Sequence, residues 1–283
     1  MVKNKTIDNA IKKTVNKSIL IALLCLGSVL IVGPFLWMLF SSFKGIKEFY
    51  YTPPRIFPDS YSLDNFNELF AKANFTRFYI NSIYVTAVQV IFNIIIVTLA
   101  GYGFAKYEFR GKKVLFAIVL ATTMVPWVAT IIPLYILAYR VNAVDTYFGL
   151  IFPGLADAFS IFLARNFIST IPTSLIESAR IDGAGEMLIF RKHILPLIKP
   201  IIAVITITKF VASWNAFQWP LLVASSEELR TLPVAISNFS SQYYDAYNVK
   251  MAAASVAVIP VLIIYIVFQK YFVEGISLTG IKG

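Results

Sequence analysis

Long apolar stretches without a single charge constrain this chain more than any other feature of its sequence. Four of them contain no Asp, Glu, Lys or Arg. A helix needs about 20 apolar residues to cross a hydrocarbon core of about 30 Å, because each residue advances it by about 1.5 Å. The sequence therefore predicts four transmembrane helices, at residues 18–43, 78–105, 114–139 and 251–269.

Two further apolar segments each carry one ionisable residue near the middle. Residues 147–167 contain Asp157, and residues 197–223 contain Lys209. An apolar fraction of 58%, a charged fraction of 14% and a mean hydropathy of +0.72 are typical of membrane proteins, which supports counting both segments as spans. We expect an all-α membrane protein with six transmembrane helices.

The distribution of Lys and Arg predicts the orientation of these spans. Six spans place both termini on one face, and sixteen of the 25 basic residues fall on that face against eight on the other. By the positive-inside rule both termini are cytoplasmic, which gives a tail at residues 1–17, a transmembrane domain at 18–270 and a second tail at 271–283. This topology accounts for the net charge of +10, so no nucleic-acid partner is inferred.

The scarcity of Cys and His limits the chemistry available to the chain. Cys25 and His193 are the single residues of their types. A disulfide framework needs cysteine pairs, and a structural zinc site needs several Cys or His ligands. We therefore predict no metal site.

The longest predicted cytoplasmic loop, residues 170–196, has the pattern of two helices separated by a turn. Ser174 and Glu177 have the spacing of a capping box, which predicts a short helix at this point. Asp182 is of a type that caps helices and Gly183 tolerates a positive φ, so a sharp turn and a second helix should follow. An amphipathic connector between two spans would have the same pattern, and the residues alone leave both readings open.

This loop resembles the signature of the permeases of ATP-binding-cassette importers. The run Glu177-x-Ala179-x-x-Asp182-Gly183-Ala184-Gly185 is followed at a fixed distance by Leu-Pro-Leu and a further proline. The maltose-type carbohydrate-uptake branch is also similar from about residue 18 to the C terminus. Two residues depart from its pattern, Ser178 and Ala216. The similarity is carried by residues 125–126, 132–134, 145–149, 213–220, 231–233, 269–273 and 280–283.

The resemblance implies a type I importer permease fold. We call residues 170–196 the coupling loop, and a helix within this loop should dock on a cytoplasmic ATPase. An apolar side formed by Leu175, Ile176, Ala179 and Ile181, with charged residues at its rim, suits such docking. The residues assigned to coupling are Leu175, Ile176, Glu177, Ala179, Arg180, Asp182, Gly183, Ala184 and Gly185. The tail residues Gly280, Ile281, Lys282 and Gly283 are assigned to contact with the ATPase dimer.

The resemblance also implies the partners. They are a homologous second permease subunit, two ATPase subunits and an extracellular or periplasmic sugar-binding protein. The multi-pass chain should lie in the cytoplasmic membrane of a prokaryote, surrounded by lipid, and the complex should carry a sugar substrate. The outer loops at residues 44–77 and 224–250 should receive the binding protein. The sequence contains no Gly-x-x-x-x-Gly-Lys-Ser/Thr motif, so ATP and Mg are expected on the partner ATPase. No cofactor or catalytic residue is assigned to this chain, which is not expected to be an enzyme.

Two other classes of transporter are less consistent with these residues. A self-contained secondary transporter would need inverted repeats and a coupling-ion site, and neither is evident in the sequence. A related permease for peptides, amino acids or phosphate is disfavoured by residues 213–220 and 280–283, which resemble the carbohydrate branch.

Asp157 and Lys209 are candidates for the translocation pathway. An ionisable group at bilayer depth costs at least about 2.5 kcal/mol, so it usually faces a partner or a cavity. Each lies about ten residues, or about 15 Å, from one end of its predicted span, which places both near the midplane. We hypothesise that they pair or share a wet cavity. The alternative is that Lys209 reaches towards the headgroups with its long side chain.

A polar stripe on the fifth predicted span supplies further pathway candidates. Thr208, Asn215 and Trp219 are spaced by seven and four residues, which places them on one helical face next to Ser213 and Lys209. Hydroxyl-rich sugars suit a surface of polar and aromatic groups, but a Trp near the boundary of a span is equally expected in an interfacial belt. Two other groups have helix-level roles: Gln89 and Asn93 should join helices, and Pro34, Pro126, Pro133, Pro153 and Pro260 should kink them.

Overall fold

The computed structural model describes residues 2–72, 74–242 and 246–279, with side chains described for 16–71, 74–237 and 246–271. Within these residues the chain is helical and contains no strand. The α-helices are α1 (Val2–Ser41), α2 (Asp64–Lys72), α3 (Phe75–Lys106), α4 (Lys112–Thr122), α5 (Trp127–Arg140), α6 (Tyr147–Ile151), α7 (Ala158–Ser169), α8 (Thr173–Ile181), α9 (Glu186–Ile189), α10 (Leu195–Leu197), α11 (Lys199–Trp214), α12 (Gln218–Val223), α13 (Leu232–Gln242) and α14 (Tyr247–Thr279).

Three helical segments are long and apolar enough to cross a membrane without a break. They are Asn16–Ser41 within α1, Phe75–Lys106 (α3) and Tyr247–Tyr271 within α14, with 26, 32 and 25 residues. At about 1.5 Å per residue each exceeds the roughly 30 Å of a hydrocarbon core. The first, second and sixth predicted spans are therefore continuous helices.

The third, fourth and fifth predicted spans are not single straight helices, and the kinks expected at Pro126 and Pro153 fall at two of the breaks. α4 and α5 meet at 100°, Tyr147–Gly154 and α7 at 43°, and Glu186–Leu197 and α11 at 79°. Each pair has the length and composition of one span, so the described residues provide up to six candidate spans when each bent pair counts as one.

Proline residues account for where these breaks fall. Pro126 is the N-cap of α5, and the residue before a proline is disfavoured in the helical conformation. Pro153 lies in a 3₁₀ turn at Phe152–Gly154, and Pro200 stands in the first turn of α11, where its missing N–H costs nothing. The other prolines that were expected to kink spans lie inside helices: Pro34, Pro133 and Pro260.

The chain divides into two compact units. One comprises Met1–Ala73 with Phe239–Val256, and the other comprises Asn74–Asn238 with Ala257–Gly283. The second unit contains both the coupling loop and the predicted pathway residues.

A buried lysine organises part of the first unit. Lys44 is 3% exposed and donates a hydrogen bond to the carbonyl of Arg55 at 2.5 Å, while the Asn65 side chain donates to the carbonyl of Lys44 at 2.9 Å. Burial lowers the pKa of Lys44, and the Glu48 carboxylate acts in the opposite direction. The segment after α1 therefore has structure of its own.

Close packing of α3, α7 and α11 forms the core of the second unit. Gly101 on α3 lies so near α7 that a Cβ at this position would be 2.7 Å from the Cβ of Ala164. Buried apolar side chains from all three helices meet there, including Val97, Ile168 and Ile205. The missing side chain of Gly101 thus permits a helix contact that a larger residue would prevent.

Two buried amides of α3 hold the irregular segment between α6 and α7. Gln89 Nε2 donates to the carbonyls of Leu150 and Ile151, each at 3.2 Å. Asn93 Nδ2 donates to the carbonyl of Leu155 at 3.4 Å. These bonds satisfy carbonyls that the interrupted helix leaves without internal partners, as expected for polar groups that join helices in a membrane.

Candidate functional site

The first helix of the coupling loop, α8, begins directly after Pro172, which is its N-cap. The predicted capping box is wrong, because no side chain caps this end of the helix. A Ser174 cap would start the helix at residue 175, whereas Pro172 already has the fixed φ that suits entry into a helix, and its carbonyl accepts from Leu175 N at 3.3 Å. Ser174 and Glu177 therefore lie within the helix.

Gly183 turns the chain at the end of α8 with a φ of +82°. Its N–H donates to the carbonyl of Arg180, and the N–H of Ala184 donates to the carbonyl of Ala179, both at 3.0 Å. This pair of bonds is a Schellman motif, in which glycine avoids the steric cost of the left-handed conformation. The predicted sharp turn is confirmed. Asp182 does not cap the next helix as predicted, because it ends α8 and Gly185 is the N-cap of α9.

The apolar side of α8 packs against this chain. Ile176 is 1% exposed and Ala179 is 5% exposed, and both join the core cluster that contains Ile168 and Ile189. Ile176 and Ala179, which were assigned to coupling, are therefore covered by the chain's own core in this structure. Helical periodicity identifies an apolar face but does not say which neighbour covers it.

The outward surface of the loop lies at the other side and end of α8. Ile181 is 86% exposed, which is unusual for an isoleucine next to a buried helix face. Glu177, Arg180, Asp182 and Gly183 are also exposed, whereas Leu175 and Ala184 are partly buried against the core. The exposed set combines one large apolar side chain with charges of both signs.

A carboxylate that the sequence reasoning missed lies at the start of α9. Glu186 Oε1 accepts from Arg180 Nε at 2.6 Å, and Oε2 accepts from Tyr102 OH at 3.3 Å and from Tyr107 OH. The Arg180 hydrogen bond, followed by that of Tyr107, holds the pKa of Glu186 below its usual value. No sequence signal links these residues, because the tyrosines lie about 80 positions before Glu186.

A cavity of about 580 Å³ lies among the pathway candidates of the second unit. Of the described residues that line it, Lys209 is the one with a charge, and we call it the Lys209 cavity. The lining residues are Gln89, Trp127, Pro153, Gly154, Lys209, Ala212, Ser213, Asn215, Ala216, Phe217, Gln218 and Trp219. Four predicted pathway residues are brought together there: Lys209, Ser213, Asn215 and Trp219.

The predicted stripe on one helix is nevertheless wrong. α11 ends at Trp214, Asn215 is its C-cap, and Trp219 lies on the separate helix α12. Thr208 is exposed and does not line the cavity. The side chains converge across the break after Trp214, which the spacing of a continuous helix cannot represent.

Trp219 is a packing residue in this structure. It is 6% exposed, and its Nε1 donates to the carbonyl of Gly149 at 2.9 Å. Of the aromatic residues on the cavity wall, Trp127 and Phe217 are exposed. The exposed aromatic residues of this wall are therefore ones that the sequence analysis did not assign to the pathway.

Asp157 lies in the break of the fourth candidate span, as the N-cap of α7, and not within a continuous helix. Its Oδ1 accepts from Ser160 N at 2.7 Å as the N-cap of α7, and its Oδ2 accepts from Asn93 Nδ2 at 3.0 Å. No ion pair within 4.0 Å joins Asp157 to Lys209 among the described side chains. The predicted direct pair is thus absent, and Asp157 does not line the Lys209 cavity.

The remaining predictions concern metals and the C-terminal tail. Within the described residues, no group of three or more His, Cys, Asp or Glu side chains is arranged to hold a metal ion. The tail residues assigned to the ATPase contact, Gly280, Ile281, Lys282 and Gly283, lie outside the described residues.

Comparison with known proteins relates this architecture to transport components. The chain is 33% identical over 227 residues to the arabinooligosaccharides transport system permease protein AraQ of Halalkalibacterium halodurans, covering 80% of this chain and 81% of that protein. It is 34% identical over 253 residues to the melibiose/raffinose/stachyose import permease protein MelC of Bacillus subtilis, covering 88% and 91%. A solved bacterial ABC transporter that imports the acidic polysaccharide alginate contains a chain that matches with a TM-score of 0.80 and 26% identity, over 91% of this chain and 96% of that one.

The helical fold, its apolar spans and these likenesses define a membrane permease and not an enzyme. Residues 93–278 match the family described as the binding-protein-dependent transport system inner membrane component, and the match covers more than half of the chain. The chain belongs to this family of multi-pass inner membrane components of ABC importers. The resemblance noted in the sequence and the predicted permease fold are confirmed.

Proposed function

We propose that this chain is one of two permease subunits of an importer that moves a sugar or oligosaccharide into the cell. The relatives named above are sugar permeases, and a family that depends on a binding protein supports a solute-binding partner outside the membrane. ATP and Mg bind a separate ATPase dimer, because this sequence has no phosphate-binding loop of its own. The transmembrane domain is residues 18–270, flanked by cytoplasmic tails at 1–17 and 271–283.

The observation that carries the coupling part of this proposal is the exposed end of α8. Ile181 projects from the loop on a turn fixed by Gly183, beside exposed Arg180 and Asp182. An apolar side chain surrounded by charges is typical of the centre and rim of a protein interface. We assign this surface, together with Glu177 and Gly185, to the contact with the ATPase. Ile176 and Ala179 support it from behind.

The Lys209 cavity supports the transport part of the proposal. Its volume of about 580 Å³ falls within the range of roughly 300–1,000 Å³ that small-molecule sites occupy. Gln218 and Asn215 provide exposed amide groups for sugar hydroxyls, and Trp127 provides an exposed aromatic face for a C–H surface. Lys209 adds a cationic donor. We propose that a saccharide passes along this wall during import.

Reconstitution with the partners tests the proposed function. The chain should be purified with its neighbouring permease and ATPase in nanodiscs, and ATP hydrolysis measured with a panel of binding proteins loaded with different sugars. We expect stimulation by a sugar-loaded binding protein and not by one loaded with an amino acid. Concentrative uptake by the isolated chain in liposomes would contradict the proposal, since this chain has no motor of its own.

A further inference from the structure

The carboxylate of Glu186 joins three segments of the chain in the second unit. It lies in the first turn of α9, it binds Arg180 on α8, and it binds Tyr102 and Tyr107 at the cytoplasmic end of α3. Both of its oxygens are used. One further hydrogen bond joins α3 to the start of α8, because Lys106 Nζ at the end of α3 donates to the carbonyl of Ile171. The apolar contacts of α8 run through Ile176 and Ala179.

The surroundings of Glu186 favour a charged acceptor. Tyr102 is 5% exposed, and a buried hydroxyl without an acceptor carries a desolvation penalty. The Arg180 guanidinium lies 5.9 Å from the Tyr107 ring centroid, and the rings of Tyr102 and Tyr107 meet edge to face at 5.4 Å. Glu186 raises the pKa of Arg180, so each charge stabilises the other. Hydrogen bonds to an ionised carboxylate are about twice as strong as neutral ones.

Directional bonds have a mechanical consequence that apolar contacts lack. Burial of Ile176 and Ala179 holds α8 against the core but is non-directional, so it resists separation more than sliding. The bonds to Glu186 fix both distance and angle between α8 and α3. α3 also carries Gln89, which lines the Lys209 cavity. A displacement of α8 that keeps these bonds must therefore also move the cytoplasmic end of α3.

We propose that Glu186 is a positioning residue that locks the coupling helix α8 to α3 through Arg180, Tyr102 and Tyr107, so that motion imposed on α8 reaches the helix that lines the cavity. This proposal rests on the proposed importer function. It assigns to Glu186 a role in the efficiency of coupling, and no contact with ATP or with sugar.

Glu186→Gln tests the lock in the complete importer in nanodiscs. The substitution keeps the shape of the side chain but removes the charge and one acceptor oxygen. We expect the sugar imported per ATP hydrolysed to fall about tenfold, as loss of a hydrogen bond to a charged group predicts. Hydrolysis without binding protein should persist. Glu108→Gln is the matched control, because Glu108 is a 90% exposed cytoplasmic carboxylate that pairs with Lys112.

A second variant identifies the partner of the carboxylate. Tyr107→Phe removes one donor to Glu186 and should reduce coupling by less than Glu186→Gln does. The double variant should be no worse than Glu186→Gln alone, because both changes break the same connection. If Glu186→Gln prevents assembly of the complex, Tyr107→Phe alone tests the connection between α8 and α3. Coupling by Tyr107→Phe equal to the wild type would then overturn the proposal, as would equal effects of Glu186→Gln and Glu108→Gln.

Hydrogen exchange separates failure of the lock from failure of the importer function. In the assembled complex, with no sugar present, Glu186→Gln should accelerate amide exchange in Thr173–Ile181 and Glu186–Ile189 several-fold, while Glu108→Gln should not. Unchanged exchange in both helices would contradict the lock even if sugar is imported. If the wild-type complex imports no sugar and Glu186→Gln still accelerates exchange, the lock is supported and the importer function is rejected.

Discussion

The turn of the coupling loop at Gly183 is formed by contacts between near neighbours in the chain, whereas the Lys209 cavity is assembled from segments far apart. The turn at Gly183 depends on bonds to Arg180 and Ala179, a few residues away. The cavity wall takes residues from α3, α5, the break before α7, α11 and α12. Coupling should therefore be lost abruptly when a substitution forbids the backbone conformation of the turn. Sugar uptake through the cavity should decrease gradually as its side chains are changed.

The largest effect is expected from Gly183→Pro in the loop. Proline fixes φ near −65°, against +82° here, and removes the N–H that donates to the Arg180 carbonyl. Membrane insertion should remain intact, while ATP hydrolysis is uncoupled from uptake and uptake is lost. Gly183→Asn is the control, because asparagine tolerates the left-handed conformation, and it should retain most uptake. Normal uptake by Gly183→Pro would contradict the role of the turn.

Substitutions of two isoleucines distinguish the role of the inner surface of the coupling loop from that of its outer surface. Ile176→Ala should lower the free energy of unfolding by about 2–5 kcal/mol, because it leaves a cavity in the core. Ile181→Ala should change stability by less than about 0.5 kcal/mol, because the side chain is exposed, but it should weaken association with the ATPase. Thermal unfolding and co-purification measure the two effects. The reverse result would mean that the buried face is the docking face.

Removal of the cavity charge should have a graded effect on transport. Lys209→Gln should reduce the rate of sugar uptake about tenfold, the scale of one lost hydrogen bond to a charged group, with ATPase association unchanged. Thr208→Val is the matched control, since Thr208 neighbours Lys209 but does not line the cavity. Equal uptake by the two variants would show that the cavity charge has no part in import.

Exchange of the charges at Asp157 and Lys209 tests whether the two residues pair during sugar uptake. Lys at position 157 cannot accept the hydrogen bonds that Asp157 receives from Ser160 N and Asn93 Nδ2. The double variant Asp157→Lys with Lys209→Asp should therefore be no better than either single variant. Restored uptake would mean that the two residues pair in another conformation and that the cap of α7 is dispensable.

Gly101→Ala, which adds one methyl group to α3, is expected to affect stability and not transport chemistry. Gly101→Ala should destabilise the protein by about 1–3 kcal/mol, because the new Cβ meets Ala164 and the α7 backbone. Gly103→Ala on the same helix is the control, because a Cβ there meets nothing within 4 Å. Comparison of their unfolding temperatures isolates the contact. Equal values would show that α3 and α7 adjust more easily than close packing implies.

Part of the site was predictable from residues that act through their own backbone. Gly183 was expected at a positive φ because its neighbours form a local pattern, and its conformation agrees. The amides Gln89 and Asn93 were expected to join helices, because hydrogen bonding is the low-cost option for an amide at that depth. In both cases the residue type restricts the outcome to few choices.

Other parts were not predictable because two outcomes share one sequence pattern. An apolar stripe on α8 fits an outer partner or the chain's own core, and the structure places Ile176 in the core. A 3.6-residue spacing places Trp219 on the same face as Thr208 only if the helix continues past Trp214, and it ends there. Glu186 had no signal, since its tyrosine partners come from a distant helix.

The sequence by itself determined that this chain is a helical membrane protein of the importer permease family, because apolar length and a contiguous loop signature need no tertiary information. Only the tertiary structure decided which side of α8 is exposed, that Asp157 caps a helix without pairing with Lys209, and which residues line the cavity. These depend on where helices break and what covers each face, and both are set by packing between segments distant in the chain.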